Sequence, residues 1–180
     1  MKYDGLRFRV QARLAGKPFA DPFGVDVAFA EPIAEPADEI VGRDLLAFAG
    51  VPTPRFRLYP RTTHLAEKLH ALTLPRKTPS SRVKDLPDIA LLALAGPVDG
   101  APLRTAIERT FAHRATHAVP TTLPAAPPSW APVYERMARN DELRWRSLEE
   151  IERVARAFLE PVLAAAAPGT WDPEEWRWRS

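Results

Sequence analysis

Hydrophobic and polar residues alternate along the first part of the chain. The apolar positions occur at every second residue, with arginine or glutamine between them: Leu6, Phe8, Val10, Ala12 and Leu14. A period of two is typical of a half-buried β-strand. Turn-forming residues follow at Gly16, Lys17 and Pro18, and residues 23–29 alternate again. The pattern therefore predicts an antiparallel pair of strands.

The pattern changes to helical spacing after Pro60. Before it, residues 55–59 are predicted to form a third short strand and residues 44–48 one helical turn. Beyond it, Leu65 and Leu69 begin an apolar stripe, with Thr62 or Thr63 as N-cap. Helices are also predicted over about 85–94, 102–113, 132–140 and 147–165. The last should begin with a capping box of Ser147 and Glu150.

The segments between these elements are rich in proline. Residues 31–36 carry two prolines and residues 116–129 carry four, so both are predicted to be connectors, and a break in helix is expected over 74–81. The tail, residues 168–180, contains three tryptophans. Because three exposed indoles would be unusual, we expect the tail to dock on the body of the protein.

Strands come first and helices afterwards, which indicates an α+β fold. About three strands of a sheet should occupy residues 1–60, a helical lobe residues 61–166, and a tryptophan-rich tail residues 167–180. No run of about 18 apolar residues and no charged-then-apolar leader occurs, so neither a membrane span nor a secretory signal is expected, and the default is a cytoplasmic protein. The chain has no cysteine, which excludes disulfides and thiolate chemistry.

Positive charge is concentrated in residues 55–84. The whole chain has a net charge of only +2, but this segment has eight basic residues and one acidic residue, Glu67, a balance of +7. Such a segment could attract phosphates. It could equally be a solvated face in a chain that uses arginine, alanine and proline throughout.

Three positions could carry chemistry, and each also has an ordinary interpretation. Asp26 should project from its strand opposite the apolar face, where it could hold Mg²⁺ or simply face solvent. Lys68 lies between core and solvent and could neutralise a triphosphate or pair with Glu67. Asp85 and Asp88 would share one helical face, but Pro87 places them in a first turn, where Asp85 could be the N-cap.

Several other kinds of functional site are not expected, because their motifs are incomplete or absent. His113 and His117 have the spacing of a helical metal pair but lack an HExxH context and a third ligand, so no zinc site is expected. GxSxG, P-loop and GxGxxG motifs are absent, which argues against a serine hydrolase, a P-loop NTPase and a dinucleotide-binding enzyme.

Five segments taken in order resemble the AbiEii/AbiGii family of nucleotidyltransferase toxins. Two are strand-like: residues 6–15 followed by Gly-Lys-Pro-Phe, and Phe-Gly-Val-Asp-Val at 23–27. The others are Asp-Leu-Leu-Ala-Phe-Ala-Gly at 44–50, His-Leu-Ala-Glu-Lys-Leu-His-Ala at 64–71, and Ser-Arg-Val-Lys-Asp-Leu-Pro-Asp at 81–88. The resemblance covers roughly residues 6–114 and, more loosely, 130–163.

The resemblance implies a partial nucleotidyltransferase-type sheet followed by helices. It also implies an NTP bound through Mg²⁺ and transfer of a nucleotide to an RNA acceptor, which is tRNA for related toxins. Such proteins are the toxins of toxin–antitoxin or phage-defence pairs, so a cognate antitoxin is an expected partner.

Roles follow from the resemblance residue by residue. Lys68 matches the lysine motif and would contact phosphates. Asp85 matches the last acidic motif, with Arg82, Lys84 and Asp88 beside it as candidate substrate-binding residues. Asp26 resembles a strand carboxylate of the wider nucleotidyltransferase fold and would be a metal ligand.

The sequence departs from the family pattern near its start. A Gly-Ser motif and a paired Asp-x-Asp are expected upstream of Leu6, where only five residues stand. We therefore expect little transferase activity from this chain alone. The alternative is a non-catalytic module, derived from the same family, that binds RNA or an antitoxin.

Overall fold

The computed structural model describes residues 5–29, 36–76, 82–164 and 169–180. Its internal contacts divide the chain into two compact units, Met1–Pro36 and Ala37–Ser180. The predicted connector over 31–36 and the predicted break over 74–81 lie largely outside the described residues.

The first unit is built from strands. It contains β1 (Gly5–Val10), β2 (Arg13–Leu14), β3 (Lys17–Pro18) and β4 (Phe23–Ala28). β1 pairs antiparallel with β4, and β2 pairs antiparallel with β3. Phe8 lies opposite Val25, and Arg7 lies opposite Asp26, so apolar and charged partners occupy different faces. The predicted antiparallel pair is confirmed.

Two local expectations for this unit were wrong. The alternating run to Leu14 is interrupted after Val10, where the Gln11 side-chain amide donates to the carbonyl oxygens of Ala12, Phe19 and Ala20. The turn lies one residue earlier than predicted, at Ala15 and Gly16, whose φ values are +47° and +77°. Two positive φ angles match the twist of a two-residue hairpin turn.

The second unit begins with a hairpin of β5 (Asp38–Val41) and β6 (Arg55–Leu58). The strand over 55–59 was predicted, whereas β5 was not, because four residues beginning with two acids give little strand signal. The predicted helical turn appears slightly later, as a 3-10 turn at Ala47–Ala49, where the Asp44 carboxylate accepts from the Ala47 N–H.

Five helices form the body of the second unit, and all five were predicted. They are α1 (Arg61–Thr73), α2 (Asp85–Leu94), α3 (Gly100–Arg114), α4 (Ala131–Asn140) and α5 (Leu148–Leu163). Short 3-10 turns precede α2 and α4, at Arg82–Lys84 and Pro128–Trp130. No helix of the described chain is long and apolar enough to cross a membrane.

The helix starts agree with the predictions in one case and not in another. Before α5, the Ser147 hydroxyl accepts from the Glu150 N–H at 3.2 Å and the Glu150 carboxylate accepts from the Ser147 N–H, so the capping box is confirmed. In contrast, α1 begins after Pro60. Thr62 and Thr63 therefore lie inside the first turn and are not N-caps.

The core lies between three pairs of packed helices, which are α1 with α2, α1 with α3, and α2 with α5. Apolar side chains recur every three or four residues on these helices, so each helix turns one stripe inward. The fully buried members include Leu65, Leu69, Ile89, Leu103, Ile107, Ile151 and Phe158.

The tail docks on this core, as predicted, and adds a small sheet that was not predicted. β7 (Val98–Asp99) pairs with β8 (Thr170–Asp172), which pairs with β9 (Arg177–Arg179). Gly169, at φ +75°, directly precedes β8, and a Cβ there would collide with the Arg179 backbone. Trp171 is fully buried and donates its indole N–H to the Ala93 carbonyl at the end of α2.

The buried indole should be a main contribution to the stability of the second unit. We expect Trp171→Ala to lower the free energy of unfolding by about 3–5 kcal/mol, because it leaves a cavity and an unpaired Ala93 carbonyl. Urea unfolding followed by helical circular dichroism measures this. Phe48→Ala is the control, since that ring is 88 % exposed and its loss should change stability by less than about 0.5 kcal/mol. Equal effects would contradict the assignment.

Candidate functional site

The contact between α1 and α2 brings a lysine together with two aspartates. Lys68 lies in the middle of α1, at the margin of the stripe formed by Leu65 and Leu69. Asp85 and Asp88 lie three residues apart in the first turn of α2. The Lys68 Nζ is 3.2 Å from Asp85 Oδ1 and 2.5 Å from Asp88 Oδ2. Asp85 and Asp88, which lie 17 and 20 positions after Lys68 in the sequence, thus share its ammonium group.

Burial makes this cluster unusual. The Asp85 side chain is 0 % exposed, that of Lys68 is 20 % exposed and that of Asp88 is 37 % exposed. Asp85 Oδ2 accepts no hydrogen bond from the described residues, and Arg82 Nη1 lies 3.7 Å from it. A carboxylate removed from water is costly unless cations compensate its charge. Lys68 and Arg82 therefore neutralise Asp85 from two sides.

The carboxylates keep Lys68 charged. Burial lowers the pKa of Lys68, but the hydrogen bond and charge of Asp88, together with those of Asp85, outweigh that effect and raise the pKa above its ordinary value. An ammonium group has three donors. Among the described residues, the two aspartates are the acceptors found for this group, so a third donor can bind a ligand at the exposed side.

Asp85 and Asp88 lie in the first turn of α2, as predicted, but two ordinary interpretations of these residues do not hold. Lys84 is the N-cap residue of α2, and no side chain caps the helix. The capping role for Asp85 was therefore wrong, because its carboxylate is used to hold Lys68. The pairing of Lys68 with Glu67 was also wrong, since Glu67 accepts from the Tyr59 hydroxyl and pairs with Arg114 on another face of α1.

The neighbouring basic residues lie at the start of α2. Arg82 belongs to the 3-10 turn before the helix and reaches Asp85. Lys84 is exposed directly ahead of Asp85. Five of the six candidate residues from the sequence thus lie together. Lys68 is on α1, and the other four lie at the start of α2: Arg82, Lys84, Asp85 and Asp88.

The sixth candidate, Asp26, belongs to the first unit. Its carboxylate accepts from Arg7 Nε at 2.6 Å and from Arg7 Nη2 at 2.7 Å. The hydrogen bond from Arg7 is the main reason that the pKa of Asp26 lies below its ordinary value. The side chain projects from the charged face of the β1–β4 pair, and both of its oxygens are engaged.

The described residues do not form a metal site as they stand. A metal would have to displace Arg7 from Asp26, and Lys68 lies between Asp85 and Asp88. Within the described ranges, no group of three or more histidine, aspartate or glutamate side chains is placed to hold a metal ion. Mg²⁺ is usually bound through one or two carboxylates together with substrate phosphates and water, and at both places a basic side chain already holds the carboxylates.

One residue at this site had no role assigned from the sequence. His64 lies one helical turn before Lys68, and its ring meets the edge of Tyr59 at a centroid distance of 6.3 Å. Burial and then the charge of Lys68 lower the pKa of His64, although Asp88 and Asp85 act in the opposite direction. Its i−4 spacing from Lys68 was the available sequence signal.

The other face of α1 carries a separate polar network. Buried His70 shares a hydrogen bond of 2.8 Å with the Thr116 hydroxyl, and His117 contacts Thr73 at 2.9 Å and Thr116 at 3.0 Å. The rings of His70 and His117 also pack with Phe111. This network joins α1 to α3, so these histidines are structural.

The match to a known family covers most of the chain. A family model described as the nucleotidyl transferase AbiEii toxin of a type IV toxin–antitoxin system matches residues 1–174. The chain belongs to the AbiEii family. No individual curated protein matches it. The resemblance inferred from five short segments is therefore confirmed, and this AbiEii chain comes from a family of nucleotidyltransferase toxins that work opposite an antitoxin.

The pairing of Lys68 with Asp85 should be measurable as a coupling energy. We expect Lys68→Met to destabilise the AbiEii chain by about 3 kcal/mol, because it leaves a buried carboxylate without its cation. Lys68→Met combined with Asp85→Asn should recover most of that loss. Urea unfolding of the single and double variants measures the cycle. Lys84→Met is the control, and additive effects of the two site changes would refute the pairing.

Partly buried His117 should make stability depend on pH. Burial lowers the pKa of His117 below 6.5. The unfolded chain therefore binds a proton at a higher pH than the folded chain. The free energy of unfolding should be greatest above about pH 6.5 and should fall below it, and the fall should be smaller in His117→Gln. Urea titrations from about pH 5 to about pH 8 test this; His113→Gln, at an exposed position, is the control. An unchanged slope in His117→Gln would exclude its contribution.

Proposed function

We propose that this AbiEii chain binds the phosphates of a nucleoside triphosphate and serves the transfer of a nucleotide from that NTP to an RNA acceptor, with tRNA as the proposed RNA. The observation that carries the proposal is the Lys68 ammonium, held at the protein surface by Asp85 and Asp88 with one donor left over. The match to a nucleotidyltransferase family supports the reaction class.

The proposed chemistry needs a fixed positive charge. A hydroxyl oxygen of the RNA forms a bond to the α-phosphorus of the NTP and its proton passes to water. The bond from that phosphorus to the bridging oxygen breaks, and pyrophosphate leaves with the electron pair. Negative charge grows on the leaving group, where a positioned cation stabilises it. Lys68 would be that cation. Asp85 and Asp88 are positioning residues, because they act on Lys68 and keep it protonated.

The remaining candidates surround this centre. Arg82 and Lys84 at the start of α2 would add positive charge beside the phosphates, as the positive end of a helix also does. Mg²⁺ is proposed as the ion that the triphosphate brings with it. Within the first unit, Asp26 stays a proposed Mg²⁺ ligand, on the condition that Arg7 releases it.

The RNA and protein partners are proposed from surface chemistry and family. Arg55 and Arg57 lie on one face of β6 and are exposed, so they could contact an RNA backbone. A cognate antitoxin is the expected protein partner of a type IV toxin. We propose a cytoplasmic protein of a toxin–antitoxin or phage-defence pair.

The transfer reaction is the test of this proposal. The full chain is incubated with Mg²⁺, each α-labelled NTP in turn and total tRNA, and label in the RNA is measured. We expect only weak transfer by this chain alone, and that transfer should require Mg²⁺ and fall by at least about 100-fold in Lys68→Met. Arg136→Met, which removes an exposed positive charge from α4, is the matched control and should leave transfer unchanged.

A second variant protects the test against a folding defect. Lys68→Arg keeps the positive charge, so it should fold and retain more transfer than Lys68→Met. Equal transfer by the wild type and Lys68→Met would refute the role of Lys68. Absence of transfer by the wild type would favour the non-catalytic alternative, in which the exposed Arg55 and Arg57 bind RNA. That binding should weaken with salt and need no metal.

A further inference from the structure

His64 differs from the other partly or fully buried histidines in what its ring contacts. His70 and His117 each share a hydrogen bond with a threonine hydroxyl. His64, in contrast, contacts the Tyr59 ring and is influenced by the charge of Lys68, and its ring nitrogens make no hydrogen bond to another described residue. Neither ring nitrogen of His64 is among the buried unpaired atoms of the described residues, so water reaches the ring and a ligand could replace that water.

His64 lies beside the proposed phosphate site. It lies on the same face of α1 as Lys68, one turn earlier, and residues four apart on a helix are neighbours. The charged or titratable groups that face it are Tyr59 ahead of α1, Lys68 on its own helix, and Asp85 and Asp88 on α2. The imidazole and the free donor of the ammonium therefore belong to one surface.

The charge state of His64 suits a ligand that arrives with negative charge. Burial and Lys68 hold the pKa of His64 below its ordinary value, so the imidazole is neutral near pH 7 and offers one N–H donor and one acceptor nitrogen. A polyphosphate beside it would accept from the N–H. Its negative charge would also favour protonation of the second nitrogen.

We propose that His64 is a further ligand of the triphosphate, donating a hydrogen bond to a phosphate oxygen next to the one bound by Lys68. This inference rests on the proposed function, because it places His64 at the same NTP site. It assigns a polyphosphate-binding role to the first residue of the 64–71 segment, to which the resemblance gave no role. A structural histidine at this position would have a protein partner, as His70 and His117 have.

Binding to the full chain tests the inference without requiring turnover. The probes are ATP and inorganic tripolyphosphate, both without metal, and calorimetry measures their affinity. We expect His64→Ala to weaken binding by about tenfold, the value of one hydrogen bond to a charged group. His113→Ala changes an exposed histidine on α3 and should bind as the wild type does. Unchanged affinity in His64→Ala would overturn the inference.

Nuclear magnetic resonance of the imidazole rings gives a readout that a structural role would not move. Tripolyphosphate should raise the pKa of His64 by about one unit and leave the ring of His113 unchanged. The wild type should also bind more tightly as the pH falls from about 7.5 to about 6, beyond the change seen in His64→Gln, whose amide can donate but does not titrate. An unmoved His64 resonance would count against the proposal.

The outcomes separate this inference from the proposed function. If Lys68→Met weakens tripolyphosphate binding and His64→Ala does not, the phosphate site stands and the role of His64 is overturned. If the wild type binds neither probe, or if Lys68→Met binds the probes as tightly as the wild type does, the proposed phosphate site itself fails and the inference fails with it. Weakening by both variants, together with the raised pKa of His64, supports both.

Discussion

The buried carboxylate of Asp85 is the constraint on which the site depends. A charge with no access to water is tolerated only beside a cation, and here the cation comes from another helix, as Lys68. This requirement holds α1 against α2 at the point where Asp88 also reaches the ammonium. The pair therefore joins two helices and, at the same time, presents a fixed positive charge at the surface. The same contact between Lys68 and Asp85 has both the structural role and the proposed chemical role.

The helix that carries both aspartates is held at its two ends by different interactions. At its start, the Asp85 carboxylate meets Lys68, and near its end the Ala93 carbonyl accepts from the indole of Trp171. That indole packs edge-on against Phe158 of α5 at 4.9 Å between ring centroids. The tail consequently contributes to the position of the cluster of Lys68, Asp85 and Asp88, although it lies at the opposite end of α2. A side chain held within a rigid frame is better placed for charge stabilisation than one on a mobile loop.

Much of this fold follows from local pattern, and the exceptions have physical reasons. The five helices have apolar stripes of sufficient length, so their existence and approximate ends could be predicted. β7, β8 and β9 have only two or three residues each, which is too short for a period of two to be visible. Asp85 was interpreted as a cap because an aspartate before a helical run usually is one. Its actual partner lies 17 residues earlier in the chain.

The sequence by itself determined the order of strands and helices, the α+β class, the family and the residue types available for chemistry. These depend on composition, on spacing and on motifs that are short and local. Only the tertiary structure decided that Lys68 is shared by Asp85 and Asp88, that Arg7 engages both oxygens of Asp26, and that His64 lies beside the ammonium without a hydrogen-bond partner of its own among the described residues. Such pairings are set by burial and by contacts between distant segments, because water must be excluded before one charge needs another.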